Sequence, residues 1–179
     1  APDNDLTLPD IAALCDVFYI GGTKVGALFG EAVVIKNPEL AQDFRYLIKQ
    51  NGGMLAKGRL LGLQVDALFT DGLYQEISAH AIAMAEKLRE AFTAKGYTYL
   101  APNRTNQIFV IVPDDHLEKI AEQVEYSYDQ RIDATHSCVR FCTGWATKEE
   151  NVHALIRCVE KLLDVWKIPQ AGTGLRMFK

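Results

Sequence analysis

Lys24 stands in the loop Gly21-Gly22-Thr23-Lys24-Val25-Gly26, with glycine at −3, −2 and +2. Glycines so placed let the backbone turn tightly and approach an anion closely, and the Thr23 hydroxyl can bond a phosphate oxygen. A lysine held between such a loop and a packed sheet loses solvation. Its pKa then falls, and the neutral amine can form a Schiff base with an aldehyde. An ordinary turn carrying a solvated lysine fits the same residues. Two competing motifs fail on spacing. A Walker A loop needs Gly directly before the lysine and Ser or Thr directly after it, whereas Lys24 lies between Thr23 and Val25. The dinucleotide fingerprint Gly-x-Gly-x-x-Gly is absent here.

Arg140 is the second residue with chemistry in its setting. In Ser137-Cys-Val-Arg-Phe-Cys-Thr143, strand alternation puts Cys138, Arg140 and Cys142 on one face and Val139 and Phe141 on the other. A guanidinium between two small apolar side chains suits a carboxylate held by two hydrogen bonds. The competing reading is an edge-strand arginine paired with a local acid such as Glu149. Arg45, Lys49, Lys57 and Arg59 form a basic segment around a glycine turn, which as a pattern also fits a solvated helical face. His80 and His153 fall on helices, His116 near a helix start, and none has a partner at metal-ligand spacing, so no metal site is expected.

The elements that position these groups follow from period and punctuation. Thr7 can cap a helix over Leu8–Cys15, with Pro9 in its first turn. Asp16–Ile20 is apolar, β-branched and aromatic, which predicts a buried strand leading into the lysine loop. Gly30–Ile35 reads as a second strand, and Asn37-Pro38 opens a helix bearing Leu40, Phe44, Leu47 and Ile48. After Asn51-Gly52-Gly53, Leu61, Val65, Leu68 and Phe69 recur at helical spacing, with Gly58 and Gly62 allowing close packing. Beyond Asp71-Gly72 comes the longest amphipathic helix, with Leu73, Ile77, Ala81, Met84, Leu88 and Phe92 on one stripe.

From Gly96 the order becomes strand, strand, helix, strand, strand, helix. Tyr97–Leu100, Gln107–Val112, Tyr126–Ile132 and Cys138–Thr143 are the strands. Asp114 or Asp115 can cap the first helix, and Thr147-Lys-Glu-Glu150 is a capping box for the second, which carries Val152, Leu155, Ile156, Val159, Leu162, Leu163 and Trp166. The stretch from Ile168 onward is expected to be irregular.

Composition is that of a globular protein: 179 residues, 49% hydrophobic and 23% charged. A net charge of −4 and a pI near 5.6 give no global attraction for nucleic acid or anionic membrane. No apolar run reaches the roughly 18 residues of a spanning helix, and the start has neither region of a secretory signal. Cys15, Cys138, Cys142 and Cys158 sit in apolar settings that suggest buried, reduced thiols and a cytoplasmic protein.

The run Cys15-Asp-Val-Phe-Tyr-Ile-Gly-Gly-Thr-Lys-Val-Gly-Ala-Leu-Phe-Gly-Glu-Ala-Val-Val-Ile35 resembles the cofactor-lysine segment of the threonine aldolase branch of the β-eliminating lyase family. These are fold-type I enzymes that use pyridoxal 5′-phosphate (PLP). Phe44–Arg59 is similar to the segment that follows it there, and the likeness runs from about Asp3 to Thr147. The resemblance implies that Lys24 is the catalytic, cofactor-anchoring lysine, with Gly22 and Thr23 beside the cofactor. It implies that Arg140 grips the substrate α-carboxylate. The family's basic residue beyond Gly-Gly reaches the PLP phosphate, often from a neighbouring subunit. Leu55 occupies the usual arginine position here, leaving Lys57 and Arg59 as substitutes.

By the same resemblance, 1–69 is the end of the PLP-binding large domain with linking helices, and 70–179 is a small C-terminal α+β domain. The fold class is thus α/β passing to α+β. The implied reaction is cleavage of a small β-hydroxy amino acid to glycine and an aldehyde. β-Elimination or transamination on the same scaffold, or a non-catalytic interaction module, are the alternatives. A homodimer or homotetramer is implied for the full-length protein. The family's partner for the pyridine nitrogen and its ring-stacking residue lie upstream of the lysine, so this chain alone is expected to be inactive.

Overall fold

Thr7 starts the first helix, α1 (Leu8–Leu14): its hydroxyl accepts from the Asp10 N–H while Asp10 accepts from the Thr7 N–H, a reciprocal capping box. The computed structural model describes residues 6–162. They form two units, one made of the residues up to His80 with Gly144–Ala146, the other of Ala81–Thr143 with the residues from Thr147 on.

In the first unit, β1 (Val17–Gly21) and β2 (Glu31–Ile35) pair antiparallel, Tyr19 opposite Val33 and Gly21 opposite Glu31, with the lysine loop as their connection. The sequence reading expected β1 to be buried. It is not: Tyr19 is 70% and Val33 51% exposed, while Phe18 and Ile20 on the other face are half-buried. A two-stranded ribbon covers one face at most when a single layer of helices lies against it.

The helix expected after Asn37-Pro38 is divided in two. Asn37 caps α2 (Pro38–Ala41) by accepting from the Glu39 N–H, and Asp43 at φ 55° then breaks the chain before α3 (Phe44–Gln50). Asp is among the few residues that adopt this left-handed backbone readily. α4 (Arg59–Phe69) has the expected helical residues, with Leu68 buried. Gly62 has none of the described residues near the place of a Cβ, so the close packing expected there is not found among them.

A short turn at Thr70–Gly72 leads into α5 (Leu73–Ala94), whose stripe is buried from Ala81 through Met84 and Leu88 to Phe92. In the second unit, β3 (Thr98–Tyr99), β4 (Gln107–Pro113), β5 (Ser127–Arg131) and β6 (His136–Cys142) form an antiparallel sheet in the order β3-β4-β6-β5. Ile108, Val110 and Val112 of β4 and Val139 and Phe141 of β6 point into one core. They meet residues of α5, α6 (Asp114–Ala121) and α7 (Glu149–Lys161) there.

Two helix starts differ from expectation. Pro113, not an aspartate, is the N-cap of α6; Asp114 and Asp115 occupy the first turn, where their charge favours the helix dipole. At α7 the N-cap is Lys148 without a side-chain bond, and Glu150, the glutamate of the expected capping box, pairs with the Lys148 ammonium instead. Leu163, Trp166 and the stretch 168–179 lie outside the described residues.

Candidate active site

The loop around Lys24 is built by its own turn and by contacts from three distant parts of the first unit. Thr23–Val25 forms one turn of 3-10 helix, closed by the Gly22 carbonyl, which accepts from Val25 N–H at 3.1 Å and Ala27 N–H at 3.0 Å. Gly22 is buried, and a Cβ there would stand 2.8 Å from the Ala27 methyl, so the close approach requires glycine. Gly26 ends the turn at φ 101°. Tyr74 donates its hydroxyl to the Gly21 carbonyl at 3.1 Å, and Leu28 N–H donates to Gln64 Oε1 at 2.7 Å. Finally, Trp145 N–H donates to the Lys24 carbonyl at 3.0 Å, with the indole close to Gly26.

The result is a fixed backbone with a free side chain. Lys24 and Thr23 are exposed, and Lys24 Nζ has no hydrogen-bond or ion-pair partner among the described residues. The desolvated lysine expected from the sequence is therefore not found among the described residues.

Gly22, Thr23 and Lys24 are brought together in this one turn. Lys57 and Arg59 are exposed at the start of α4, without an ion pair among the described residues. Among the described residues no hydrogen bond or ion pair joins their side chains to the lysine loop. Their helix does touch it: Leu61 packs where Gly30, at φ 88°, leaves room, and Gln64 makes the bond just described.

Arg140 lies in the second unit, on the inner strand β6 and not on an edge. Its alternation is as read, with Val139 and Phe141 in the core. Cys138 is buried on the opposite face, but Cys142 is exposed, and Cys15 and Cys158 are half-buried, against the expectation of four buried thiols. Among the described residues Arg140 has no acidic partner; Nη1 donates to Gln107 Oε1 at 3.2 Å and Nη2 to Ser127 Oγ at 3.5 Å. Its Nε is buried without an acceptor among the described residues. Glu149, the alternative partner, is engaged elsewhere.

Sequence reasoning missed Tyr74, Gln64, Trp145 and Gln107. The first two bond the loop from 53 and 36 residues away, and no local pattern marks such contacts. Among the described residues no cluster of His, Cys, Asp and Glu could hold a metal ion, and no helix is long and apolar enough to cross a membrane.

This geometry sits in a recognisable setting. A solved structure described as a Leishmania major threonine aldolase superposes with a TM-score of 0.86 at 39% identity, over 89% of this chain and 46% of that one. A low specificity L-threonine aldolase of a Pseudomonas species is 31% identical over 141 residues, 78% of this chain and 40% of the relative. The chain belongs to the threonine aldolase family. The low specificity L-threonine aldolase of Pseudomonas aeruginosa is 28% identical over 149 residues, 83% of this chain and 42% of that protein. This member of the family thus spans about two fifths of the length of the curated relatives it matches, in their C-terminal part. No protein-family model matches it. Its mixture of helix and sheet is that of a fold-type I C-terminal portion.

Proposed function

We propose that this chain supplies the cofactor lysine and the substrate arginine of a PLP-dependent lyase that cleaves β-hydroxy amino acids to glycine and an aldehyde. The observation that carries this reading is the construction of the lysine loop: a backbone held by Tyr74, Gln64 and Trp145 around an amine that no carboxylate of the described residues neutralises. When bound, PLP supplies an electron sink for the bond broken at the substrate Cα.

The residues present fit such a group. Lys24 Nζ is a primary amine free to hold an aldehyde carbon and to yield it to a substrate amine. The Thr23 hydroxyl and the tight turn at Gly22 suit a neighbouring phosphate oxygen, and Lys57 and Arg59 offer exposed cations to the same group. Arg140 presents a fork whose partners among the described residues are neutral, which suits an α-carboxylate.

That the chain covers about two fifths of its curated relatives supports a reading in which catalysis draws on more polypeptide. We expect a homo-oligomer whose sites draw on more polypeptide than this chain, and little glycine release from L-threonine by the 179 residues alone. A reducing, cytoplasmic setting accords with four unpaired cysteines.

The test is to add one equivalent of PLP, reduce with borohydride and map the modified peptide. Modification concentrated on Lys24 and lost in Lys24→Ala supports the reading; label spread over other lysines, unchanged in Lys24→Ala, refutes it. The exposure of Lys24 favours a second reading, a non-catalytic interaction module with an idle lysine, which predicts that second outcome.

A further inference from the structure

Gln107 opens β4 on the same sheet face as Arg140. The register sets Phe109 opposite Arg140 and Gln107 opposite Cys142, so the amide and the guanidinium are diagonal neighbours across two strands. Ser127 of β5 faces Arg140 from the other side. The three side chains make a row on which Gln107 Oε1 accepts from Nη1 at 3.2 Å, while Ser127 Oγ stands at 3.5 Å from Nη2, the outer limit of a hydrogen bond. Nε is buried and has no acceptor among the described residues.

A guanidinium carries more N–H donors than these two oxygens can satisfy. Every partner in the row is neutral. The firm contact therefore fixes the fork at one corner and leaves its charge unspent, and the weak contact on the opposite side yields easily to a better acceptor. A carboxylate in the place of the Gln107 amide would close that charge internally, in a charge-assisted bond.

Building on the carboxylate role given above to Arg140, we propose that Gln107 is the positioning residue of the substrate-carboxylate site, and that its neutrality sets the preference for a free amino acid over its amide. Gln107 holds Nη1 so that the Nη2 side of the fork faces the incoming carboxylate without a competing acid. An uncharged amide or ester gains little from such a fork.

The experiment is calorimetric binding of glycine and of glycinamide, which have no β-carbon to lose, to the PLP-loaded full-length protein. The variants are Gln107→Glu, Gln107→Met and Arg140→Ala. In Gln107→Glu the affinity for glycine falls about tenfold or more, the scale of one charge-assisted hydrogen bond, and that for glycinamide stays within about twofold. Gln107→Met removes the acceptor without adding charge, so it weakens glycine by less than Glu does and again spares glycinamide. Should Gln107→Glu fail to fold, as circular dichroism would show, the Met variant alone must display that selective loss.

An equal loss of both ligands would mean that Gln107 only packs, and overturns the proposal; so would unchanged glycine affinity in Gln107→Glu. If Arg140→Ala leaves glycine binding intact, the carboxylate role of Arg140 fails and takes this inference with it. If Arg140→Ala abolishes glycine binding while Gln107→Glu does not weaken it, only the role of Gln107 is lost.

Discussion

Gly22→Ala probes the lysine loop at its tightest point. The backbone there, at φ −112° and ψ −27°, is open to alanine, so the substitution brings no conformational strain. By restricting the unfolded chain, alanine would even stabilise by about 0.4–1 kcal/mol. Against this stands the 2.8 Å separation between the new Cβ and the Ala27 methyl, where carbons ordinarily rest at about 3.5–4.0 Å. Neither group is the end of a flexible chain. Ala27 is further tied by its N–H to the Gly22 carbonyl, so relief means moving the turn that carries Lys24.

Overpacking of this kind costs about 1–3 kcal/mol, leaving a net loss of roughly 1–2 kcal/mol once the entropic gain is set against it. The decisive comparison is the pair Gly22→Ala with Ala27→Gly, which removes the colliding methyl. Urea unfolding followed by far-ultraviolet circular dichroism on the wild type, both single variants and the double variant gives the coupling energy. It should favour the double variant by about 1 kcal/mol or more. Borohydride trapping of PLP at Lys24 should fall in Gly22→Ala and recover in the double variant. Simple additivity of the two single effects would show that the Gly22–Ala27 approach does not shape the loop, and the reasoning would fail.

Two further outcomes test the second unit. His116, 2% exposed, has its pKa lowered by burial first of all; Asp115 pulls it back up, while Lys119, Lys95 and His136 push it further down. Because the folded pKa lies below the ordinary value of about 6.5, the unfolded chain binds more protons in that range. This contribution to stability is present above about pH 6.5 and is lost as pH falls toward the folded pKa. The urea midpoint of the wild type should drop on acidification in that window, and His116→Gln should flatten the drop; an unchanged slope would contradict it. Phe92→Ala should cost about 3–5 kcal/mol in the same unfolding assay, since Phe92 is fully buried and packs on Tyr97 and Phe141. A loss under about 1 kcal/mol would mean that the site is not closely packed.

The second unit was the more legible in sequence, because its signals are local. Alternation in Gln107–Val112 marks strand faces that the core then uses, and the stripe from Ala81 to Phe92 is a helical period with one buried side. Both are read within a window of a few turns, and both stay true because sheet and helices cover each other. The first unit obeys the same local rules and gives a different outcome. Val17, Tyr19 and Val33 are as apolar as a buried strand requires, yet they are exposed, because burial depends on what lies against the ribbon and not on the ribbon itself. The break at Asp43 has a related origin: the apolar spacing of Leu40, Phe44 and Leu47 continues across it, while the backbone turns at a residue whose left-handed conformation no spacing announces.

The site divides along the same line. Glycine spacing alone singled out Lys24, since the turn it allows is a property of six consecutive residues. What makes the turn rigid is non-local: a hydroxyl from α5, an amide from α4 and a backbone N–H from Trp145. Arg140 shows the reverse dependence. Its face was legible from alternation, but the meaning of its charge was not. Whether a guanidinium is spent or free is decided by its neighbours across the sheet, and only the register puts a neutral Gln107 and Ser127 where an acid could have stood. Whether Arg140 keeps its charge for a ligand or spends it inside the fold turns on the charge of two residues on other strands, so the distinction belongs to strand pairing and not to the strand that carries the arginine.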